Sequence, residues 1–254
     1  MIVALKLKRV VGALLACAVL LICLAAVRDT GSAEVFFAAK RKIPVYSVET
    51  EQKCIALTFD AAYGADKTSA IMDVLEKEGV PATFFLVGFW VKNFPEKAKE
   101  IAERGFEIGT HSNVHGHMNS MTAEAISCDL ETSIERIRTA SGVTPTLFRA
   151  PYGEYNDRLV SVAESKGLIT VQWSVDSLDW KNESVSAVVG RIKKKAHSGA
   201  IVLMHNNSDY VVEALPEIIA FLKAENYVFK SVGQMVHREN YYVDNNGRQF
   251  LKNS

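Results

Sequence analysis

The sequence predicts an α/β protein in which about seven parallel strands alternate with helices. From residue 53 onward, short runs of β-branched and aromatic residues alternate with longer stretches whose apolar residues recur every three or four positions. Glycines follow several of the longer stretches, where a left-handed helix cap is common. Parallel strands need a crossover helix between them. The sheet therefore either closes as an incomplete relative of the eight-stranded (β/α) barrel or stays open as a doubly wound sheet.

The expected strands are runs of three to five residues that are apolar, β-branched or aromatic. In chain order they are residues 55–59, 83–87, 106–109, 146–148, 169–173, 200–204 and 227–229. Helices are expected between them because apolar residues lie there on one helical face. The residues that show this spacing are Ile71, Val74 and Leu75, then Ile126, Leu130, Ile134 and Ile137, and finally Val212, Leu215, Ile219 and Leu222. The expected helix caps are Gly79, Gly105, Gly142 and Gly167.

An apolar N-terminal segment precedes this region. Residues 10–27 carry no charge and would span about 27 Å as a helix, close to the roughly 30 Å of a bilayer core. Lys6, Lys8 and Arg9 precede the segment, so the positive-inside rule places the rest of the chain outside the cytoplasm. Residues 1–28 are thus either a single transmembrane signal-anchor helix or a signal peptide cleaved near Gly31 or Ala33. We expect a membrane-attached extracytoplasmic domain in the first case and a secreted protein in the second.

The chain divides into four regions on these grounds. The apolar segment covers residues 1–28, and residues 29–52 are expected to form a tether. Residues 53–238 carry the alternating pattern and form the folded domain. Residues 239–254 are polar and rich in asparagine, so a loosely packed tail is expected there.

The composition excludes several classes of protein. Hydrophobic residues make up 48% and charged residues 23% of the chain, which is typical of a globular protein and excludes wholesale disorder. Lysine plus arginine and aspartate plus glutamate number 29 each, so the chain lacks the positive surplus that nucleic acid binding needs. Four cysteines without a CxxC pair do not form a disulfide framework.

Ionisable side chains follow the ends of the expected strands. In a parallel α/β architecture these carboxyl ends meet on one face, where active sites are built. Any one of these residues has an ordinary explanation, such as an aspartate that caps a turn or an arginine in a surface ion pair. Core packing does not explain all of them at once. They are Asp60, His111, Arg149, Asp176, Asp179 and His205.

A second histidine, His115, follows His111 by four residues. On a helical segment two imidazoles at this spacing share one face, which suits the binding of one cation. The spacing alone is a weak signal, and both residues also fit an ordinary loop.

Five segments in this region resemble the motifs of the polysaccharide deacetylase family, also called the NodB-homology domain or carbohydrate esterase family 4. The family's TFDDG appears as TFDAAYG at residues 58–64, and its H-[ST]-x-x-H as HSNVH at 111–115. RAPYG at 149–153, DSLDW at 176–180 and LMH at 203–205 are similar to its third, fourth and fifth motifs. All five occur in the family's order within residues 53–236, which makes the combination far more specific than any one of them.

The resemblance implies a fold and an activity. Members of the family have a distorted (β/α) barrel with a groove on its open face. They use a divalent metal, usually zinc, to hydrolyse N-acetyl groups from chitin-like glycans, peptidoglycan or xylan. Residues 53–238 would form this domain.

The resemblance also implies roles for individual residues. Asp60 matches the general base and His205 the general acid. Arg149 is similar to the residue that orients the base, and Asp179 to the one that tunes the acid. His111 and His115 match two metal ligands. The expected pocket and groove walls, with the Tyr152 amide in an oxyanion hole, are Pro151, Tyr152, Trp180 and Leu203.

One motif departs from the family pattern. The second aspartate of TFDDG is the family's third metal ligand, and this chain has Ala61 there. Two imidazoles leave the site one protein ligand short of the three usual for a catalytic zinc, so weaker metal binding is expected. Some sporulation-associated members also vary at this aspartate and have a segment similar to SLDWK at 177–181. This resemblance favours a peptidoglycan deacetylase of a spore-forming or other Gram-positive cell.

Three alternatives remain open at this point. A catalytically silent glycan-binding relative is suggested by Ala61, and an O-acetyl esterase would use the same groups. A membrane-tethered interaction domain would not need the convergent ionisable residues. The expected partners are an acetylated glycan and, through the N-terminal helix, the membrane; no obligate protein partner is expected. N-acetylglucosamine and N-acetylmuramic acid are both possible substrates.

Overall fold

The computed structural model of the protein describes residues 18–19 and 41–252. Its folded unit begins at Lys42. Apart from Ala18 and Val19, the predicted transmembrane or signal segment at 1–28 lies outside the described residues. Within the part of the chain that is described, no helix combines the length and the apolar character needed to cross a bilayer.

Eleven strands lie between residues 41 and 252, and each of the seven expected strands is among them. They are β1 (Ser47–Val48), β2 (Cys54–Ala61), β3 (Ala82–Leu86), β4 (Glu107–Thr110), β5 (Leu147–Phe148), β6 (Ile169–Thr170), β7 (Val175–Asp176), β8 (Ala200–His205), β9 (Val228–Phe229), β10 (Tyr241–Val243) and β11 (Arg248–Leu251).

Eight α-helices connect or flank these strands over the same residues. They are α1 (Thr68–Glu78), α2 (Gly88–Asn93), α3 (Pro95–Glu103), α4 (Ala123–Ser141), α5 (Asp157–Ser165), α6 (Val185–Lys195), α7 (Val211–Ala224) and α8 (Val232–Met235). Short 3-10 turns lie at Met118–Ser120, Pro151–Gly153 and Asp179–Lys181. Left-handed glycines end α1 and α4 at Gly79 and Gly142, as predicted.

The strands form one mainly parallel sheet in the order β10-β11-β1-β8-β2-β3-β4-β5-β6, with β7 also paired to β8 and β9 to β2. The prediction of an α/β fold with a parallel sheet is therefore confirmed. The segment that contains β1 makes the sheet curl, because Val45 bridges Val171 beyond β6 while Ser47 pairs with Ala200 of β8. This contact brings the two sides together, as in an incomplete barrel and unlike an open doubly wound sheet.

The expectation that residues 29–52 form only a tether is wrong for the part that is described. Val45 and Val48 are buried, and β1 pairs with both β8 and β11. Gly199 permits this close approach, since a Cβ at that position would lie 1.7 Å from the Val48 carbonyl oxygen. A strand of two residues is too short to show a period-two pattern, so the sequence offered no signal for it.

The expectation of a loosely packed tail at 239–254 is also wrong for its described part, residues 239–252. β10 and β11 form an antiparallel hairpin, and β11 pairs in parallel with β1. Tyr242 stacks on Phe250 with ring centroids 5.2 Å apart. The hairpin turn contains Asn245 and Asn246 followed by Gly247 at φ +80°, so the asparagines that suggested disorder belong to a turn.

The main apolar cluster positions the first catalytic candidate. Phe59 and Ala61 of β2 belong to this cluster, where Phe59 stacks on Phe84 of β3 with ring centroids 5.1 Å apart. Side chains alternate along a strand, so Asp60 points to the opposite face of the sheet. That face is the interior of the curled sheet, near the carboxyl ends of the strands.

Candidate active site

A cavity of about 470 Å³ lies at the carboxyl ends of the central strands and contains most of the predicted site residues. Its lining residues are Asp60, His111, His115, Tyr152, Trp173, Asp176, Trp180, Leu203 and His205. A cavity of about 600 Å³ elsewhere, near Glu49 and Cys54, contains none of the predicted groups.

Three predicted residues do not line the cavity. Arg149 and Asp179 are fully buried and contact it through Asp60 and His205. Pro151 is buried in a 3-10 turn and is absent from the lining, so its predicted role in the substrate pocket is not supported by its position. Trp173, by contrast, lines the cavity, although the sequence analysis assigned it no role in the site. Its place at the end of the expected strand 169–173 was the signal that could have identified it.

Asp60 is held by a buried ion pair. The Arg149 Nη1 atom donates to Asp60 Oδ1 at 2.7 Å and to Thr58 Oγ at 2.8 Å, while Nη2 donates to the Gln172 carbonyl at 3.0 Å. Burial alone would raise the pKa of Asp60, but the charge and hydrogen bond of Arg149, helped by the nearby histidines, hold it below its ordinary value. The carboxylate is therefore ionised at neutral pH.

His111 is oriented by a backbone carbonyl. Its Nδ1 atom lies 2.8 Å from the Arg149 carbonyl oxygen, which only accepts, so Nδ1 carries the proton. The Nε2 lone pair then faces the cavity and lies 3.4 Å from Asp60 Oδ2. Burial lowers the pKa of His111 despite the opposing charge of Asp60, so the ring is neutral. A carbonyl-bound neutral imidazole is the usual arrangement of a metal ligand.

Residues 111–115 form a loop, which is one of the two conformations that the spacing of His111 and His115 left open, and not a helical turn. Ser112 and His115 are in the left-handed region, with φ of 68° and 53°. Such conformations are costly for residues other than glycine and persist only where neighbouring groups hold them. The Ser112 hydroxyl accepts from the His115 amide at 2.9 Å, and Asp129 of α4 accepts from the Asn113 amide at 2.8 Å.

The start of α2 holds the same loop from the other side. The amides of Gly88 and Phe89 donate to the carbonyls of Ser112 and Asn113, both at 2.9 Å. A Cβ at Gly88 would lie 2.4 Å from Asn113 Oδ1 and 3.1 Å from Asn113 Cα, so a larger residue here would displace the loop. The two histidines are thus positioned by α2 and α4 together.

His115 completes a pair of imidazoles beside Asp60. The ring centroids of His111 and His115 are 4.9 Å apart. His115 Nδ1 is buried and has no hydrogen-bond partner among the residues that the structure describes. Burial, followed by the charge of His111, lowers the pKa of His115 to about 4, so this ring is also neutral at physiological pH.

These donors fit a cation held by two imidazoles. The third position of the family is Ala61, whose side chain is fully buried in the main apolar cluster. The Asn113 Oδ1 atom, another oxygen near the histidines in sequence, accepts from Arg136 Nη1 at 2.8 Å. Within residues 41–252, no group of three or more His, Cys, Asp or Glu side chains is arranged to hold a metal. The metal role of His111 and His115 stays a prediction.

The Ala61→Asp variant tests this departure. In metal-free protein we expect it to lower the free energy of unfolding by about 1–3 kcal/mol, because it buries a carboxylate without a partner. Zn²⁺ should restore stability, since a third ligand strengthens binding to the folded state. Urea unfolding with and without zinc measures both effects. Ala62→Asp is the matched control and should not gain this zinc dependence; an equal gain in both variants would contradict the assignment.

His205 lies next to Asp60 because the two residues are register partners on the parallel strands β8 and β2. Its Nδ1 donates to Asp179 Oδ1 and its backbone amide to Asp179 Oδ2, both at 2.8 Å. This bond leaves Nε2 as the other ring nitrogen available to a substrate. Burial opposes the charged ring, but the hydrogen bond and charge of Asp179, with the charge of Asp60, raise the pKa of His205 above its ordinary value.

Aromatic and apolar side chains form the remaining wall. Tyr152 is held at φ 59°, and its hydroxyl donates to the His115 carbonyl at 3.1 Å. The Tyr152 ring stacks on His117 with centroids 4.4 Å apart. Trp180 is largely exposed, whereas Leu203 is buried at the cavity floor. The site therefore joins a buried charged centre to a partly apolar rim.

The curled parallel α/β sheet thus brings Asp60, His205 and the two neighbouring histidines together at the carboxyl ends of its strands, an arrangement typical of hydrolases. A sequence model described as polysaccharide deacetylase matches residues 47–171. The peptidoglycan-N-acetylmuramic acid deacetylase PdaA of Bacillus subtilis is 34% identical over 195 residues, covering 75% of this chain and 74% of that protein. The chain belongs to the polysaccharide deacetylase family, whose members generally use a divalent metal.

Two further relatives complete the comparison. The uncharacterized protein YlxY of Bacillus subtilis is 34% identical over 193 residues, and the match covers 76% of this chain and 60% of YlxY. The crystal structure of BA3943 from Bacillus anthracis, described as a CE4 family pseudoenzyme, is 32% identical with a TM-score of 0.74 over 77% of this chain and 69% of that one. A BA3943 mutant with the same TM-score is described as having restored enzymatic activity.

Proposed function

We propose that this protein is an extracytoplasmic deacetylase that hydrolyses N-acetyl groups from peptidoglycan or a chitin-like glycan. The observation that carries the proposal is a pair of ionisable groups on adjacent strands whose pKa values are shifted in opposite directions. Arg149 keeps Asp60 ionised, and Asp179 stabilises the charged form of His205. Two groups whose environments shift their pKa values in opposite directions are the usual arrangement of a base and an acid.

Asp60 acts as the base in this proposal. Amide hydrolysis needs a water that loses a proton as it attacks the carbonyl carbon. The ionised carboxylate faces the cavity and is fixed by Arg149, so it is positioned to accept that proton. His111 and His115 would hold a divalent metal, which we propose to be zinc. When bound, this metal would polarise the carbonyl group and lower the pKa of the attacking water.

His205 acts as the acid. The leaving amine needs a proton, and the ring nitrogen not bound to Asp179 is the group that can donate it. The Tyr152 amide would stabilise the developing charge on the carbonyl oxygen, as backbone N–H groups do in acyl transfer. Leu203, Trp173 and Trp180 would contact the acetyl group and the sugar, on the strength of their places in the cavity wall.

The pH profile provides a prediction for His205. Turnover needs the protonated ring, so the rate should fall as the pH rises through its raised pKa. Asp179→Asn removes the charge that raises the pKa, so the alkaline limb should move to lower pH. Acetate release measured from pH 5 to 10 checks this. Asp176→Asn is the control and should move the limb less, because the charge of Asp176 raises the pKa of His205 less than the charges of Asp179 and Asp60 do. An unmoved limb in Asp179→Asn would contradict the acid assignment.

A second candidate is a silent glycan-binding protein. Ala61 favours it, and so does the similarity to BA3943, which is described as a pseudoenzyme. An active enzyme is better supported than a silent protein, because Asp60 is still paired with Arg149 and His205 with Asp179. An O-acetyl esterase would use the same groups and differs only in the bond that is cleaved.

The cellular setting is part of the proposal. The apolar segment at 10–27 supports a location at the cell membrane with the folded unit outside, or secretion after cleavage. The relatives from Bacillus support peptidoglycan as substrate and a role in a spore-forming cell.

Acetate release tests the proposal. A protein that begins at Ala33 contains all of residues 41–252, and it would be stripped of metal and then titrated with zinc or cobalt in the presence of peptidoglycan fragments or chitin oligomers. Metal-dependent acetate release is the expected result. Release only after Ala61→Asp would favour the silent protein, and release from O-acetylated but not N-acetylated glycans would favour the esterase.

A further inference from the structure

Exposed hydrophobic side chains gather around the mouth of the active-site cavity. Tyr152 and Trp180 line the cavity and are more than half exposed. Tyr63 is 58% exposed beside His115, and Val114, also exposed, directly precedes that histidine. Three of the seven large hydrophobic residues exposed between residues 41 and 252, Tyr63, Tyr152 and Trp180, thus line this opening or contact its wall. Clustered exposed apolar surface of this kind marks a binding site.

Tyr63 lies outside the cavity but contacts its wall. Its ring meets the His115 ring edge-on with centroids 6.1 Å apart, and Tyr152 contacts the same imidazole at 4.7 Å. Tyr63 does not line the cavity itself. The part of a ligand that contacts the Tyr63 ring would therefore lie next to the part that occupies the cavity.

The position of Tyr63 is fixed although its ring is exposed. On one side, the Ala61 carbonyl accepts from the Val87 amide at 3.1 Å. On the other, the Gly64 carbonyl accepts from Trp90 Nε1 at 2.6 Å and from Asn206 Nδ2 at 2.9 Å. Phe89 supports the Tyr63 ring at a centroid distance of 5.7 Å. An aromatic ring held in place before binding loses little conformational entropy when a ligand stacks on it.

We propose that Tyr63 forms a separate sugar subsite, which binds the residue next to the one that is deacetylated. The inference rests on the proposed function and defines its substrate as a chain of linked hexosamines. One face of a pyranose ring is lined by C–H groups and packs on an aromatic ring, while the hydroxyls at its edge stay in water. A sugar whose acetyl group enters the cavity would place the adjacent sugar over Tyr63.

Chain-length dependence tests the subsite. Acetate release from N-acetylglucosamine oligomers of one to five sugars would be compared for the native protein, Tyr63→Ala and Tyr63→Phe. In the native protein kcat/KM should rise with chain length. Tyr63→Ala should lose about threefold to tenfold of this rise through a higher KM for the longer oligomers. Tyr63→Phe keeps the ring and should behave as the native protein.

Tyr242→Ala is the matched control, because Tyr242 is a partly exposed tyrosine of β10 that stacks on Phe250. It should leave the length dependence unchanged. The same dependence in Tyr63→Ala as in the native protein, or an equal loss in Tyr242→Ala, would overturn the subsite.

Calorimetric binding of the same oligomers separates this inference from the proposed function. If no protein releases acetate but oligomer binding weakens in Tyr63→Ala, the deacetylase proposal fails and the subsite stands. If acetate is released and Tyr63→Ala binds every oligomer as the native protein does, the subsite fails and the deacetylase stands. Absence of both binding and release would overturn the subsite as well, since no glycan would then be its ligand.

Discussion

Arg149→Met is expected to lower the free energy of unfolding by about 3–5 kcal/mol. The guanidinium is fully buried, and it is the cation hydrogen-bonded to Asp60, which is itself buried. Without the arginine, an ionised carboxylate would remain in the protein interior without a counter-charge, or it would have to take up a proton. The Gln172 carbonyl would also lose the Nη2 donor. Urea unfolding at neutral pH measures the loss.

A double variant separates the ion pair from simple packing. Arg149→Met combined with Asp60→Leu removes both charges, and replacing a buried ion pair by apolar side chains is often neutral. We therefore expect the double variant to recover most of the stability that the single variant loses, with a clear coupling energy between the two sites. Additive losses would mean that Arg149 contributes mainly by filling space.

The second large effect concerns turnover. Asp60→Asn keeps the shape of the side chain but removes the group that accepts a proton, and acetate release should fall by about two orders of magnitude or more. The amide Oδ1 can still accept from Arg149, so the cavity should keep its form. Binding of the same glycan should remain, because the aromatic rim is unchanged. Steady-state kinetics with metal-loaded protein gives the rate.

Asp73→Asn is the control for this variant. Asp73 lies on α1 and pairs with Arg104 at the surface, so its loss should leave turnover unchanged. A protein that only binds glycans would respond to neither substitution. Full activity in Asp60→Asn would assign the base to another group and remove the main support for the proposed mechanism.

The fold class was predictable from the sequence alone, and so was the gathering of most candidate site residues around one cavity. The seven predicted strands are longer runs with a clear composition, and each is present in the sheet. Asp60, His111 and His205 were identified because they end such runs, and parallel strands bring their carboxyl ends together whatever the loops between them do. Local signals were sufficient here because strand direction, and not the detail of packing, sets where these side chains lie.

The tertiary structure decided the features that depend on distant partners. β1 exists because β8 and β11 pair with it, and the C-terminal hairpin because β11 pairs with β1. The left-handed conformations of Ser112 and His115 depend on hydrogen bonds within the loop and from α2 and α4, whereas the spacing of the two histidines left a helical turn and a loop both open. Trp173 lines the cavity without having been predicted, whereas Pro151 was predicted to line it and is instead buried in a 3-10 turn. In each case the free energy that stabilises the observed conformation comes from contacts between segments far apart in the chain. A local pattern of residues does not predict such contacts.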